Sequence, residues 1–139
     1  MNEIRFEIGV KTFNLNGAVE VRFNPTDTEF ARRIYETFDS LDKKQDHFKE
    51  EVSKIAGTSK IFDFARERDA EMRTMIDNAF GIPVCDAVFG GMNVYALADG
   101  LPVWCNLMLA VMDELDSGFA REQKATNARV AKYTAKYHK

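Results

Sequence analysis

From position 30 onward the residues Phe30, Ile34, Phe38, Leu41, Gln45, Phe48, Val52 and Ile55 recur at spacings of three and four. That spacing draws one apolar stripe along a helix, with Gln45 its single polar break. The segment Asn24-Pro25-Thr26-Asp27-Thr28-Glu29 supplies a start. Thr26 can cap the free backbone donors while Glu29, three residues on, reaches back as in a capping box. A helix over about 26–56 follows, closing near Gly57. At about 1.5 Å per residue it is roughly 45 Å long. That is longer than a small domain needs for its own packing, so the stripe is expected to offer surface to a partner.

Ahead of this helix, Arg5 to Phe23 is rich in β-branched and aromatic residues around Asn16-Gly17, a strong hairpin signal because both residues accept positive φ. A hairpin over 4–24 is predicted. A two-residue loop pairs Val10 with Phe23, whereas a three-residue loop over Asn16, Gly17 and Ala18 gathers Phe13, Leu15, Val19, Val21 and Phe23 on one face. The second register buries more apolar surface, but Phe6, Ile8 and Val10 then need a bulge near Gly9 or Lys11 to join that face.

Behind the long helix, Ser59 can cap a second helix, 60–80, whose apolar side carries Ile61, Phe62, Ala65, Met72, Met75, Ile76 and Ala79. Its opposite side, with Arg66, Glu67, Asp69, Glu71 and Arg73, is charged, and Phe80-Gly81 stops it. Pro83 suits the first turn of a short helix, 83–89, stopped by Gly90-Gly91. After Asp99-Gly100 and Pro102, a helix over 102–116 holds Val103, Trp104, Leu107, Met108, Val111, Met112 and Leu115. This is the expected core. The fold class is therefore α+β and mainly α: one hairpin and a compact bundle of about four helices in a single domain, 1–118.

The remaining stretch, 119–139, reads as a basic tail, helical or loosely ordered. Arg121, Lys124, Arg129, Lys132, Lys136 and Lys139 face only Glu122 there, although the whole chain of 139 residues carries a net charge of −3. Spaced cations among Ala and Tyr read as a solvated helix or a loose end more readily than as a nucleic-acid grip. Apolar residues make up 45% and charged residues 29% of the chain, which places it among soluble globular sequences. No apolar run reaches the length of a membrane span, and Met-Asn-Glu-Ile-Arg has no signal core. Cys85 and Cys105 lie in apolar stretches and read as buried free thiols, which suits a reducing cytoplasm.

Catalytic chemistry finds no foothold in this sequence. The histidines are His47, on a polar helical stretch, and His138, next to the last residue, so no nucleophile has an evident base. Two cysteines twenty residues apart and two remote histidines give no zinc spacing. Asp113, Glu114 and Asp116 point around a helix and read as its solvated end. Gly81, Gly90 and Gly91 lack the strand and loop of a phosphate cradle. No enzyme, metal or cofactor is expected. What does stand out is the stock of Phe and Met, including Phe62, Phe64, Met72, Met75, Phe80, Phe89, Met92 and Met108. Most of these suit a core; any surplus exposed together would make an adaptable binding surface.

With these residues laid out, the chain resembles the tail assembly chaperones of long-tailed bacteriophages. The likeness rests on the Lys11-Thr12-Phe13 hairpin closing in Val19-Glu20-Val21-Arg22-Phe23-Asn24-Pro25, and on the long capped helix. It also rests on Ile76-Asp77-Asn78-Ala79-Phe80-Gly81 with Val84-Cys85-Asp86-Ala87-Val88-Phe89-Gly90, and on the apolar helix from Trp104 to Leu115. It spans about residues 4–117. The resemblance implies a non-catalytic protein of the host cytoplasm that coats the tape measure protein, recruits tail tube subunits and self-associates along its client. It brings no catalytic residues to carry over. The candidate protein-binding residues are Phe30, Ile34, Phe38, Leu41, Phe48, Val52, Phe62, Phe80 and Phe89. The competing expectation is a phage-encoded accessory protein that sequesters or inhibits a host factor or small ligand, which calls for a compact polar pocket.

Overall fold

The computed structural model describes the backbone of residues 1–137; His138, expected at a frayed end, lies outside the described residues. Strands β1 (Lys11–Leu15) and β2 (Val19–Phe23) form an antiparallel hairpin. Helix α1 (Thr28–Val52) follows, then α2 (Thr58–Phe80) and the short α3 (Cys85–Phe89). A two-residue ladder of β3 (Leu97–Ala98) and β4 (Leu101–Pro102) leads into α4 (Val103–Tyr137). The mainly helical α+β class with an N-terminal hairpin and four helices is the one the sequence pattern predicts.

The hairpin takes the three-residue loop. Leu15 faces Val19, Phe13 faces Val21, and Ala18 N–H donates to Leu15 O at 2.9 Å. Asn16 and Gly17 both take positive φ, 54° and 73°. One face then carries Phe13, Leu15, Val19, Val21 and Phe23, and its far end reaches the core at Val21 and Phe23. The predicted start at residue 4 is corrected: β1 begins at Lys11 and no bulge rejoins the preceding residues. Gly9, at φ 71°, turns the chain out of the strand instead.

The entry to α1 also differs from the expected capping box. Asp27, not Thr26, is the N-cap, its carboxylate accepting from Glu29 N–H at 3.0 Å. Thr26 is already engaged, because its N–H and hydroxyl both donate to Asn24 Oδ1 at 2.8 Å. Glu29 pairs with Arg32 rather than turning back. Two sequential Asx-type contacts therefore replace one reciprocal pair. The exit lies at Val52, short of the expected 56, with Ser53 as the cap.

Helix α2 starts at Thr58, before Ser59, and no side chain caps it. Its end is as expected: Gly81 takes the left-handed conformation and its N–H returns to Asp77 O at 2.8 Å. Helix α3 begins two residues later than predicted. The side chain of Asp77, from the last turn of α2, accepts from Val84 N–H at 2.9 Å and Cys85 N–H at 3.0 Å, so a neighbouring helix provides the cap.

The largest departure is α4. It does not stop near 116 but continues as one helix through Ser117-Gly118 to Tyr137. Gly118 is buried against the loop before α1, where a Cβ would lie 2.3 Å from Pro25 Cβ. The glycine that reads as a stop is kept for close approach, and the helix continues because nothing else breaks it. The acidic group Asp113, Glu114 and Asp116 is consequently mid-helix, with Glu114 accepting from Arg121 at 3.0 Å.

Helix α1 lies between α2 and α4. Ile34 and Leu41 meet Met72 and Ile76 of α2 and Trp104, Met108, Val111 and Leu115 of α4 in one continuous core. Among the described residues, no side chain in that core is charged or polar apart from the handle of Trp104, whose indole N–H donates to Gln45 Oε1 at 2.9 Å.

Candidate functional site

The stripe on α1 is internal. Phe30, Ile34 and Leu41, expected to bind a partner, are buried in the core, and Phe30 also borders a cleft with Phe23 and Phe80. Phe38 is half-buried against Trp104, ring centres 5.6 Å apart. Phe48 is stacked between Tyr95 at 4.2 Å and Phe64 at 5.6 Å. Val52 is half-buried at the end of α1. Phe80 meets Phe30 edge-on at 6.3 Å. The physical reason is that α1 has two helical neighbours, so a single stripe is covered from both sides. The covering residues of α4 run from Trp104 to Leu115, and those of α2 include Met72 and Ile76.

Of the nine candidates only Phe62 is exposed, while Phe38, Phe48, Val52, Phe80 and Phe89 are half-buried. Phe62 stands on α2 with 63% of its surface exposed. Phe89 ends α3 and lines a groove of about 480 Å³ between the hairpin loop, α3 and the start of α4. Leu15, Val88, Met92, Val103 and Leu107 line the same groove. From the small ladder Ala98 lines it too, while its strand neighbour Leu97 is 73% exposed. The groove is thus an apolar trough framed by three separate elements. Among the sequence candidates it gathers only Phe89.

The trough is held in place by polar side chains that a helical-wheel reading assigns to a solvated face. Arg73 is only 14% exposed at its side chain. Its guanidinium donates to Asp69 at 3.0 Å, to Asp86 at 2.8 Å and to the carbonyls of Gly90 at 2.8 Å and Met92 at 2.6 Å. Asp69 in turn accepts from Val94 N–H at 2.7 Å. Asn93 donates to Ala65 O at 3.1 Å and accepts from Tyr95 N–H at 2.9 Å. Residues 90–95, beyond α3, carry little regular structure, and these bonds, those of Arg73 and Asp69 charge-assisted, satisfy their backbone groups and set their position. Sequence spacing offers one clue: Asp69, Arg73 and Asp77 sit four apart, on one side of α2.

His47 is exposed on α1, beside Lys44 and Glu51 in a shallow depression. Cys85 and Cys105 are both buried free thiols. Burial pushes the Cys85 thiol up, reinforced by Asp77, and burial with nearby Asp42 raises Cys105. Neither is an activated nucleophile. Tyr95 is pushed up to about 12, mainly by burial. Among the described residues no three His, Cys, Asp or Glu side chains could together hold a metal ion, and no helix is long and apolar enough to cross a membrane.

A second apolar feature lies at the start of the chain. Ile4, Phe6 and Ile8 are exposed at 88%, 80% and 62% on a segment that belongs to no strand or helix. Sequence reasoning places this segment in the hairpin because its alternation is that of a strand. No protein-family model, no curated protein and no solved structure matches the chain.

Proposed function

We propose that the chain is a non-catalytic binding protein whose trough between the hairpin loop, α3 and α4 covers apolar helical segments of a client. In the setting implied by the resemblance to phage tail assembly chaperones, the client is the tape measure protein in the host cytoplasm, before tail tube subunits enclose it. The single observation carrying this reading is the apolar lining of Val88, Phe89, Met92 and Leu107.

An amphipathic helix laid in such a trough buries its apolar side while its polar side stays in water. Met92 and Phe89 suit clients of varied sequence, because a thioether adapts its shape and a ring supplies area. Weak sites suffice where many copies act along one long chain, since each bound copy adds avidity. The accessory-protein reading calls for a compact polar pocket, and the mostly apolar lining favours the chaperone reading over it.

Co-expression with a phage tape measure protein tests the proposal. The expected result is a more soluble client and a co-purifying complex, both lost on Met92→Glu or Val88→Glu. A client that stays insoluble rejects the chaperone reading. A complex that survives both substitutions rejects the trough as its site.

A further inference from the structure

We infer that the segment before the hairpin is a self-pairing arm, which joins two copies of this chain through an antiparallel strand pair centred on Phe6. The inference stands apart from the client reading. It begins with the way the arm leaves the body. Gly9 turns the chain at φ 71°, and its Cα packs so tightly on Asn24 that a Cβ there would lie 2.7 Å from Asn24 Nδ2. The same amide donates to Ile8 O at 2.8 Å. The root of the arm is therefore fixed, and Ile8 and Val10 lie along a cleft with Phe23, Phe30 and Phe80.

Beyond that root, the arm has the composition of a strand without the pairing of one. Ile4, Phe6 and Ile8 alternate with Glu3, Arg5 and Glu7. In an extended chain this places three apolar residues on one face and three charges on the other. Among the described residues, the backbone groups of residues 2–7 make no hydrogen bond to the rest of the chain. Both needs, covering the apolar face and pairing the backbone, are met by another strand.

Charge selects a second copy as that strand. In an antiparallel pair with Phe6 opposite Phe6, Ile4 lies opposite Ile8, and Arg5 lies opposite Glu7 on both sides of the two-fold axis. All three apolar residues then match, and the directly opposed Arg–Glu pairs attract. Neighbouring registers lose this agreement. Centring on Arg5 sets Arg5 against Arg5 and Glu3 against Glu7; centring on Glu7 sets Glu7 against Glu7. Centring on Ile4 places Phe6 opposite Asn2, and centring on Ile8 opposes Arg5 and Lys11. The arm is self-complementary in one register. Strands this short bury less area than a standard interface, so the dimer depends on concentration.

Sedimentation velocity across a concentration series reads the association directly. The wild-type mass is expected to rise from 15.8 kDa toward twice that value. Arg5→Glu or Glu7→Arg alone sets like charges face to face and should weaken dimerisation by more than about tenfold. The double variant R5E/E7R restores it, as does an equimolar mixture of the two single variants. Phe6→Cys should form an intermolecular disulfide under mild oxidation, whereas Arg5→Cys should not. All these positions are exposed, so the helical circular dichroism signal stays unchanged. A chain that is monomeric at every concentration overturns the proposal, as does a dimer indifferent to the single variants or a double swap without rescue.

Discussion

The indole N–H of Trp104 donates to Gln45 Oε1 at 2.9 Å, joining α4 to α1 through the one polar side chain in the α1 stripe. The residue that interrupts the apolar pattern is therefore the partner of the largest buried side chain. Gln45→Leu improves the apolar pattern but leaves a buried donor unmatched, at a cost of about 1–3 kcal/mol. Equilibrium denaturation followed by the fluorescence of Trp104, the sole tryptophan, measures it.

The internal position of the α1 stripe separates two substitutions that helix length alone would treat alike. Leu41→Ala opens a cavity where the side chain is fully buried, and should destabilise by about 2–5 kcal/mol. Phe62→Ser removes an exposed ring and should change stability by no more than about 0.5 kcal/mol. Comparing their denaturation midpoints distinguishes a core stripe from a docking stripe.

Gly118→Ala reverses the usual helix rule. Alanine is favoured over glycine inside a helix by about 1 kcal/mol. Here the new methyl would sit 2.3 Å from Pro25 Cβ, so the loop before α1 must shift. The expected outcome is a lower thermal midpoint despite the higher propensity, while Gly91→Ala, with open space around it, leaves the midpoint nearly unchanged.

Arg73 holds the backbone of Gly90 and Met92 and the carboxylates of Asp69 and Asp86. Arg73→Met keeps the stem and removes the fork, leaving Asp69 partly buried without its cation. A loss of about 2–4 kcal/mol is expected. Amide exchange at Val84, Cys85 and Val94 should quicken more than exchange along α1, because the guanidinium secures this loop and does not touch α1.

Cys85 gives the fold an alkaline dependence. Its thiol ionises at higher pH in the folded chain than its ordinary value near 9, because burial disfavours the thiolate. Below about 9 both folded and unfolded chains hold the proton, and stability is at its full value. Above it the unfolded chain releases the proton first, so stability falls as pH rises. Cys85→Ala should flatten that decline in a pH series of denaturation midpoints, although it lowers stability at neutral pH by opening space.

Local chemistry made much of this architecture legible. The hairpin register followed from the face that Phe13, Leu15, Val19, Val21 and Phe23 share, and Gly81 ended α2 where a left-handed cap was expected. What escaped the pattern were facts about neighbours. Gly118 reads as a stop because sequence cannot show Pro25 pressed against it. Arg73 and Asp69 read as a wet face because the loop that covers them is distant in sequence from them. The α1 stripe reads as surplus because its covering comes from two helices at once, α2 and the apolar first half of α4. Of the site, Phe89 was legible, while the trough around it depends on three elements meeting.

The rings of Phe13, Phe23, Phe30 and Phe80 touch in sequence, the first three nearly parallel at 4.5 and 4.3 Å. A two-stranded ribbon is barely stable by itself, so this one owes its order to the aromatic column that runs from it through α1 to α2. Ribbon and helices consequently open and close as one cooperative block, and cutting the column at Phe23 would melt the ribbon before any helix unwinds.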